Sequence, residues 1–308
     1  MPGVPEVPGV PRVRTGKAIG AVVLTVLLVA AFEALAGQSK PTPKPPQTVR
    51  LYILDGGTLE SDPARYRLTK EEVSATQLSV IAALIVHPKG TLMWDTGAIA
   101  DDSWTPTARP VPRRLVLTNS QERRVTLRTT MKAQLAAVGY APSDITYLAL
   151  SHFHWDHTAN AKQFVKSTWL ARQAERDAML PDTVPDPPQP STFADLKNGK
   201  TVLIAGDDHD VFGDGTVVLK LAKGHTPGHQ VLYVKLAKTG GIVLSGDLYH
   251  YPEERTLNRL PTFEFNVDQT RQSREALDAF LKKSGAQLWI QHDFTAMAKI
   301  KKAPAFYE

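Results

Sequence analysis

The segment ALSHFHWDHTAN, residues 149–160, places three histidines and one aspartate within six positions. His152 and His154 are two positions apart, so both imidazoles point to the same side of an extended segment. The chain must then turn to bring Asp156 and His157 in from another direction. One short loop therefore offers two separate sets of side chains that can bind metal.

Three further candidates each follow an apolar run elsewhere in the chain. His225 follows LKLAKG, Asp247 follows IVLSG, and His292 follows LWIQ. Strands that end in His or Asp can converge on one edge of a β-sandwich. The chain contains no cysteine, which excludes disulfides, thiolate metal sites and cysteine nucleophiles. Any metal must therefore be held by His, Asp or Glu.

Five imidazoles and two carboxylates are more than one zinc ion can use, because a catalytic zinc takes about three protein ligands. The set therefore predicts two divalent metal ions, with Asp247 bridging them. We assign one ion to His152, His154 and His225, and the other to Asp156, His157 and His292. Nitrogen and oxygen ligands favour zinc, although iron, manganese and cobalt also bind such sites.

Neighbouring features complete the prediction for this site. We expect a helix to begin near Thr158, whose hydroxyl would cap it. His229 is interpreted as a hydrogen-bonding residue beside the metals. His87 and His209 have no comparable neighbours in sequence and are interpreted as surface residues. The loop around Trp104 and the segment LPTFEF, residues 260–265, are expected to form the pocket wall.

The body of the chain alternates between strands and helices. Runs rich in Val, Ile and Leu predict strands from Val49 onward. The segments LRTTMKAQLAAVGY and TRQSREALDAFLKKSG have apolar residues at helical spacing. Strands followed by a helix, in two rounds, predict an α/β (α+β) fold. Its architecture would be an αββα sandwich of two packed mixed β-sheets with helices on the outer faces.

The N-terminus has a different organisation. Basic residues precede an apolar run at 18–32, and ALAG follows at 34–37. This order predicts a signal peptide at residues 1–36 and a periplasmic or secreted protein. An uncleaved membrane anchor is the alternative, although the run is shorter than the roughly 20 residues that span a bilayer. Residues 37–48 are a Pro-rich linker, and residues 49–308 form the catalytic domain.

The distribution of charge argues against a nucleic-acid partner. The formal net charge is +5, but the basic residues are scattered and form no run that would bind a phosphate backbone. We therefore expect no nucleic-acid partner, and membrane contact only if the N-terminal segment stays uncleaved.

These motifs resemble the metallo-β-lactamase superfamily, whose αββα sandwich carries an HxHxDH loop followed by distant His, Asp and His ligands. Within it, the closer likeness is to the N-acyl homoserine lactonases. LYILDGGTL, WDTG at 94–97, RQAERDAM at 172–179, GHTPGHQ at 224–230 and SGD at 245–247 carry this likeness. The resemblance implies metal ligands at His152, His154, Asp156, His157, His225, Asp247 and His292.

The chain departs from the lactonases at one position. They usually place a tyrosine three residues after the bridging aspartate, and here His250 stands there, between Tyr249 and Tyr251. The two tyrosines would lie on the side of an extended segment opposite His250. We therefore give His250 a catalytic role, as hydrogen-bond donor to the substrate carbonyl.

The resemblance implies a dinuclear hydrolase that opens lactone rings, with N-acyl homoserine lactones as substrates, and thus quorum quenching. A hydroxide bridging two Zn²⁺ ions would attack the carbonyl, and Asp156 would carry the proton to the leaving alkoxide. A thioesterase or a β-lactamase-type hydrolase of the same fold is the alternative. A metal-dependent binding module without activity is a third reading, disfavoured by the full ligand set.

Overall fold

The computed structural model describes residues 42–105, 107–117, 119–180 and 190–308, together with residues 1, 3 and 9. Apart from those three positions, the predicted signal peptide lies outside the described residues, as do residues 37–41 of the predicted linker. Residues Thr42 to Glu308 form one compact unit. No helix in the described ranges is both long and apolar enough to cross a bilayer.

The first half of this unit forms a mixed sheet of eight strands. In space they run β4-β5-β1-β2-β3-β6-β7-β8. The strands β1 to β5 pair antiparallel, whereas β6, β7 and β8 run parallel to β3. Their bounds are β1 Arg50–Glu60, β2 Gln77–His87, β3 Gly90–Trp94, β4 Arg113–Val116, β5 Glu122–Thr126, β6 Tyr147–Ala149, β7 Thr168–Arg172 and β8 Thr201–Ile204.

The second sheet has five strands in the order β13-β12-β11-β10-β9. Only β12 and β13 are parallel neighbours; the other pairs are antiparallel. The bounds are β9 Asp208–Asp210, β10 Val217–Leu221, β11 Gln230–Leu236, β12 Gly240–Leu244 and β13 Gln287–Trp289.

Seven α-helices are seen in the described ranges, and α6 is much the longest. The side chain of Asn266 caps α6 by accepting a hydrogen bond from the Gln269 amide, and Gly285 ends the helix in a left-handed conformation. The bounds are α1 Met131–Ala137, α2 Trp155–Thr158, α3 Gln173–Met179, α4 Pro190–Phe193, α5 Pro252–Thr256, α6 Val267–Ser284 and α7 Phe294–Met297.

The core is built in layers. Leu51 and Ile53 of β1 pack with Leu219 and Leu232 of the second sheet in one buried cluster between the two sheets. The opposite face of the first sheet packs against α1, and the opposite face of the second packs against α6. Alternate residues of a strand face opposite sides, so each sheet buries both faces. The arrangement is an αββα sandwich, which confirms the predicted fold class.

The predicted ligands follow strands that end at one edge of this sandwich. His152 comes three residues after β6, and Asp247 and His292 each come three residues after the parallel strands β12 and β13. One local prediction is wrong. The helix in the HxHxDH loop begins at Trp155 rather than near Thr158, and the Thr158 hydroxyl donates back to the His154 carbonyl at 3.1 Å. The hydroxyl thus bonds to the preceding turn instead of capping a following helix.

Candidate metal centre

The seven predicted ligands meet in two groups. Within each group the potential ligand atoms lie within 4.8 Å of one another. One group contains His152, His154, His225 and Asp247, and the other contains Asp156, His157 and His292. The division is the one assigned from the sequence. A third grouping joins Asp247 and His292 to His250.

Asp247 lies between the two groups. Its Oδ2 is 3.4 Å from Nε2 of His152 and 3.4 Å from Nε2 of His225. Its Oδ1 is 2.9 Å from Nε2 of His157 and 2.9 Å from Nε2 of His292. The two oxygens of one carboxylate thus face different imidazole sets, which is the arrangement a bridging ligand requires.

The chemistry of these atoms fits two divalent cations. Nε2 of His152 is buried without a hydrogen-bond partner, and the two imidazole nitrogens 2.9 Å from Oδ1 of Asp247 are not placed to form a hydrogen bond with it. Such buried groups are costly unless something satisfies them. Ring nitrogens also face each other in pairs, since His154 Nδ1 lies 3.0 Å from His225 Nε2. Nitrogen and carboxylate oxygen donors in this combination suit zinc and similar ions.

The far side of the ligand rings is held by hydrogen bonds. Nδ1 of His225 lies 2.9 Å from Glu264 Oε1, and Nδ1 of His292 lies 2.7 Å from the Ser79 carbonyl. Ring nitrogens of metal-binding histidines typically have such partners, which fix the tautomer and the orientation. Glu264, which lies between the two phenylalanines of LPTFEF, was missed as a site residue in the sequence.

The electrostatics favour the metal-binding form of His152, His154 and Asp247, whereas at His157 and His225 the charges of neighbouring carboxylates outweigh burial and raise the pKa. Burial lowers the pKa of His152 and His154 well below the usual range, so both imidazoles are neutral. Burial alone would raise the pKa of Asp247, but the surrounding imidazoles, His157 first among them, outweigh it and hold that pKa well below its usual range. Asp247 is therefore a carboxylate, the form that binds metal.

The turn before Asp247 requires glycine. Gly246 has φ of +50°, and a Cβ there would lie 2.6 Å from His229 Nε2. That nitrogen accepts a hydrogen bond from the Asp247 amide at 2.9 Å, while His229 Nδ1 donates to the Ala222 carbonyl at 3.0 Å. Burial lowers the pKa of His229 to about 3, which keeps the ring neutral and able to accept. His229 thus orients Asp247, as a hydrogen-bonding residue beside the candidate metal centre.

Glu175 of α3 is a buried carboxyl group that sequence reasoning missed, although RQAE was noted as a motif. Its Oε1 accepts from the Phe153 amide at 2.7 Å. Its Oε2 accepts from the Thr226 hydroxyl and the Gly228 amide, each at 2.8 Å. Glu175 therefore joins the HxHxDH loop to the loop that carries His225.

The interpretation of His87 as a surface residue is wrong. The side chain is 2% exposed, its Nε2 lies 2.8 Å from Asp214 Oδ2, and its ring stacks on Phe212 at 4.1 Å. These partners are more than 100 residues away, so no local pattern indicated them. His209 is half-buried.

A cavity of about 300 Å³ opens above the candidate metal centre. Phe263 lines it, as expected. Leu117, Asn119, Gln121 and Arg123, from the long excursion that contains Trp104, also line it, whereas the expectation is wrong for Trp104 itself and for Phe265. Trp104 packs in an apolar cluster and does not line this cavity, and Phe265 is 64% exposed. The segment before α6 forms turns, and Phe263 and Phe265 line different cavities.

His250 lies at the base of the cavity. Its Nε2 is 3.1 Å from Asp247 Oδ2, and its Nδ1 is 3.4 Å from Oε1 of the buried Glu254. Burial lowers the pKa of His250, but the charges of Asp247 and Glu254 outweigh it and raise that pKa to about 10. Tyr66, which the sequence gave no reason to select, packs on His250 with ring centroids 4.7 Å apart and also lines the cavity.

Comparisons with known proteins point to one family. Residues 75–286 match the family model described as Metallo-beta-lactamase superfamily. The N-acyl homoserine lactonase AttM of Azorhizobium caulinodans is 28% identical over 277 residues, covering 84% of this chain and 99% of the relative. The N-acyl homoserine lactonase of Bacillus cereus is 24% identical over 267 residues, covering 83% and 98%.

Solved structures share the fold. An AiiA mutant from B. thuringiensis with N-decanoyl-L-homoserine bound at its active site superposes with a TM-score of 0.67 at 21% identity, covering 83% of this chain and 98% of the other. AidC, described as a dizinc quorum-quenching lactonase in complex with a product, gives a TM-score of 0.59 at 17% identity, covering 88% and 98%. The αββα arrangement around the site is therefore shared with these proteins.

Proposed function

Since this chain belongs to the metallo-β-lactamase superfamily, we propose that it is a dinuclear metal-dependent hydrolase that opens the rings of N-acyl homoserine lactones. The relatives named as N-acyl homoserine lactonases match along nearly their whole length, which supports this substrate class. Loss of the lactone signal by ring opening would make the enzyme a quencher of quorum sensing.

The main support for this proposal is the position of Asp247. Its two oxygens face two imidazole sets at 2.9 to 3.4 Å, and both sets adjoin a cavity of about 300 Å³. A cavity of this size is at the lower end of those that bind small molecules. A small ring with a short acyl chain fits such a space.

Two divalent ions, most simply Zn²⁺, would be held by the seven ligands already described. When bound, they would supply a hydroxide nucleophile at neutral pH and Lewis acid polarisation of the carbonyl oxygen. The description of AidC as a dizinc lactonase supports the choice of zinc. The neutral state of His152 and His154 and the ionised state of Asp247 match what such ions need.

The protein groups at the base of the cavity have distinct roles. Asp156 Oδ2 lies 3.7 Å from His292 Nε2 and lines the cavity, so it carries the proton to the leaving alkoxide. His250 lines the cavity with its Nε2 3.1 Å from Asp247 Oδ2. It donates a hydrogen bond to the substrate carbonyl oxygen, which becomes negative when the hydroxide attacks.

An NMR assay that monitors ring opening tests the proposal. The zinc-loaded protein is incubated with N-hexanoyl homoserine lactone, with a hexanoyl thioester and with a β-lactam. We expect opening of the lactone to the hydroxy acid, and a large loss of turnover in Asp156→Asn with its zinc retained. Thioester or β-lactam cleavage without lactone turnover would instead favour the alternative hydrolase classes.

We also propose that the protein is exported, with residues 1–36 as a signal peptide and residues 37–48 as a linker to the catalytic domain at 49–308. The order of basic residues, apolar run and ALAG supports this. N-terminal sequencing of the protein from a periplasmic extract or culture medium tests it. We expect the chain to begin at Gly37, and an intact N-terminus in the membrane fraction would indicate an anchor.

A further inference from the structure

Two arginines on the wall of the cavity have no acidic partner. Arg65 and Arg123 both line the cavity above the candidate metal centre. Among the described residues, no carboxylate oxygen lies within 4.0 Å of either guanidinium. The nearby carboxylates pair elsewhere, since Glu60 pairs with Arg124 at 3.3 Å and Glu122 pairs with Arg114.

The ring of Phe263 lies between Arg65 and the candidate metal ligands. Its guanidinium carbon lies 4.7 Å from the centre of the Phe263 ring. Phe263 in turn lies 5.8 Å from the ring of His225 and 5.7 Å from that of His250. The Arg65 carbonyl accepts hydrogen bonds from the amide and hydroxyl of Thr262 at 2.8 and 3.0 Å. The position of Arg65 relative to Phe263 is therefore fixed by the fold.

Arg123 comes from a different element, strand β5. Its Nη2 donates to Gln121 Oε1 at 2.5 Å and its Nη1 donates to the Glu122 carbonyl at 3.0 Å. The side chain is thereby held without losing its charge. Burial and the positive charge of Arg65 lower the pKa of Arg123 and outweigh the negative charge of Asp156, which raises it. This balance is consistent with two cations that line the same cavity.

The acidic groups of the cavity do not balance these charges. Asp156 and Asp247 belong to the metal ligand set, and Glu60 is paired with Arg124. A saturated acyl chain against this wall would cover two half-buried guanidiniums without giving them an anionic partner, which is unfavourable. A planar oxyanion would pair with them through charge-assisted hydrogen bonds.

We propose that Arg65 and Arg123 form an anion-binding subsite, so that the preferred substrate is a lactone or ester whose acyl part ends in a carboxylate. This inference rests on the proposed hydrolase function and narrows its substrate class. The scissile carbonyl lies at the metal ligands, and the distal carboxylate lies beyond Phe263, at the two guanidiniums.

Two lactones with acyl chains of equal length test the subsite. N-adipoyl homoserine lactone carries a terminal carboxylate where N-hexanoyl homoserine lactone carries a methyl group. We expect kcat/KM for the adipoyl lactone to exceed that for the hexanoyl lactone by about tenfold or more, because a charged hydrogen bond contributes that much. The difference should lie mainly in KM and should shrink at high salt, which screens the charges.

Substitution of each arginine tests whether it is responsible for the preference for the adipoyl lactone. Arg65→Met and Arg123→Met should each lower kcat/KM for the adipoyl lactone by about tenfold and leave the hexanoyl lactone nearly unchanged. Opening of the hexanoyl lactone by the same variant shows that it is folded. Arg128→Met is the matched control, because Arg128 is exposed, lies two positions after the end of β5 and is not among the cavity-lining residues.

The outcomes separate the two proposals. If both lactones open with similar kcat/KM, or if the arginine variants lower both equally, the anion subsite is wrong and the lactonase proposal stands. If the zinc-loaded protein opens neither lactone, the proposed function is wrong and the subsite assignment falls with it.

Discussion

The Asp95 carboxylate lies 2.9 Å from Nδ1 of His157, and both side chains are buried. Asp95 also accepts hydrogen bonds from the Ser151 amide at 2.6 Å and from Gln291 Nε2 at 3.0 Å. Strand β3, the HxHxDH loop and the segment after β13 thus meet at one carboxylate. Asp95 orients His157, a candidate metal ligand, and is not itself part of the candidate ligand groups.

Replacing Asp95 by Asn should weaken the metal group that contains His157. Asn tolerates the left-handed φ of 53° at this position, so the backbone should be kept. The neutral amide supports the imidazole less well, and we expect metal affinity to fall by about 10- to 100-fold. Zinc per chain after dialysis against a chelator measures this. The exposed Asp177→Asn is the control, and two tightly held zinc ions in Asp95→Asn would contradict the role.

His250 should be replaceable by tyrosine but not by phenylalanine. Both substitutions keep an aromatic ring beside Tyr66, and only tyrosine keeps a hydrogen-bond donor. We expect His250→Phe to lower kcat for lactone opening by about 100-fold, as loss of an oxyanion donor does, and His250→Tyr to retain more of it. Steady-state kinetics at matched zinc content provide the measurement. Equal losses in the two variants would mean that His250 acts by packing alone.

Glu175 should make stability depend on pH. Burial raises the pKa of Glu175 from 4.5 to about 7, despite hydrogen bonds that lower it. Between those values the folded state holds a proton that the unfolded chain has lost, so the free energy of unfolding falls as pH rises. The fall attributable to this group is about 3 kcal/mol.

Urea unfolding of the wild type and of Glu175→Gln at pH 5 and pH 7.5 tests this dependence. Gln does not titrate, so the stability advantage of the wild type should be larger at pH 5 and smaller at pH 7.5. Comparing the two proteins removes the pH dependence of metal binding, which they share. Parallel profiles would show that Glu175 is ionised throughout this range.

Metal removal should destabilise the fold. Oδ1 of the buried Asp247 and Nε2 of His152 lack hydrogen-bond partners, so cations that satisfy them stabilise the folded state. For each ion at about 1,000 times its Kd this is worth about 4 kcal/mol, or roughly 10 °C in Tm per ion for a domain of this size. Calorimetry with and without EDTA measures the shift. It should reverse with zinc and be smaller in His152→Ala, and an unchanged Tm would contradict the metal centre.

Local patterns in the sequence determined much of this protein. The HxHxDH loop and the strand ends at His225, Asp247 and His292 indicated which side chains meet, and the structure brings them together. Alternation and helical spacing predicted two mixed sheets with outer helices. These inferences succeed because strand periodicity and the ends of strands depend on residues adjacent in the chain.

Only the tertiary structure decided what surrounds the ligands. Asp95 reaches His157 across 62 positions, and the Ser79 carbonyl reaches His292 across 213. His87 is buried by a partner 127 positions away. Arg65 and Arg123 come to one cavity from separate elements. No short sequence pattern encodes such contacts, because they form only when elements distant in the chain pack together. Polar groups that are buried by this packing are then hydrogen-bonded to one another.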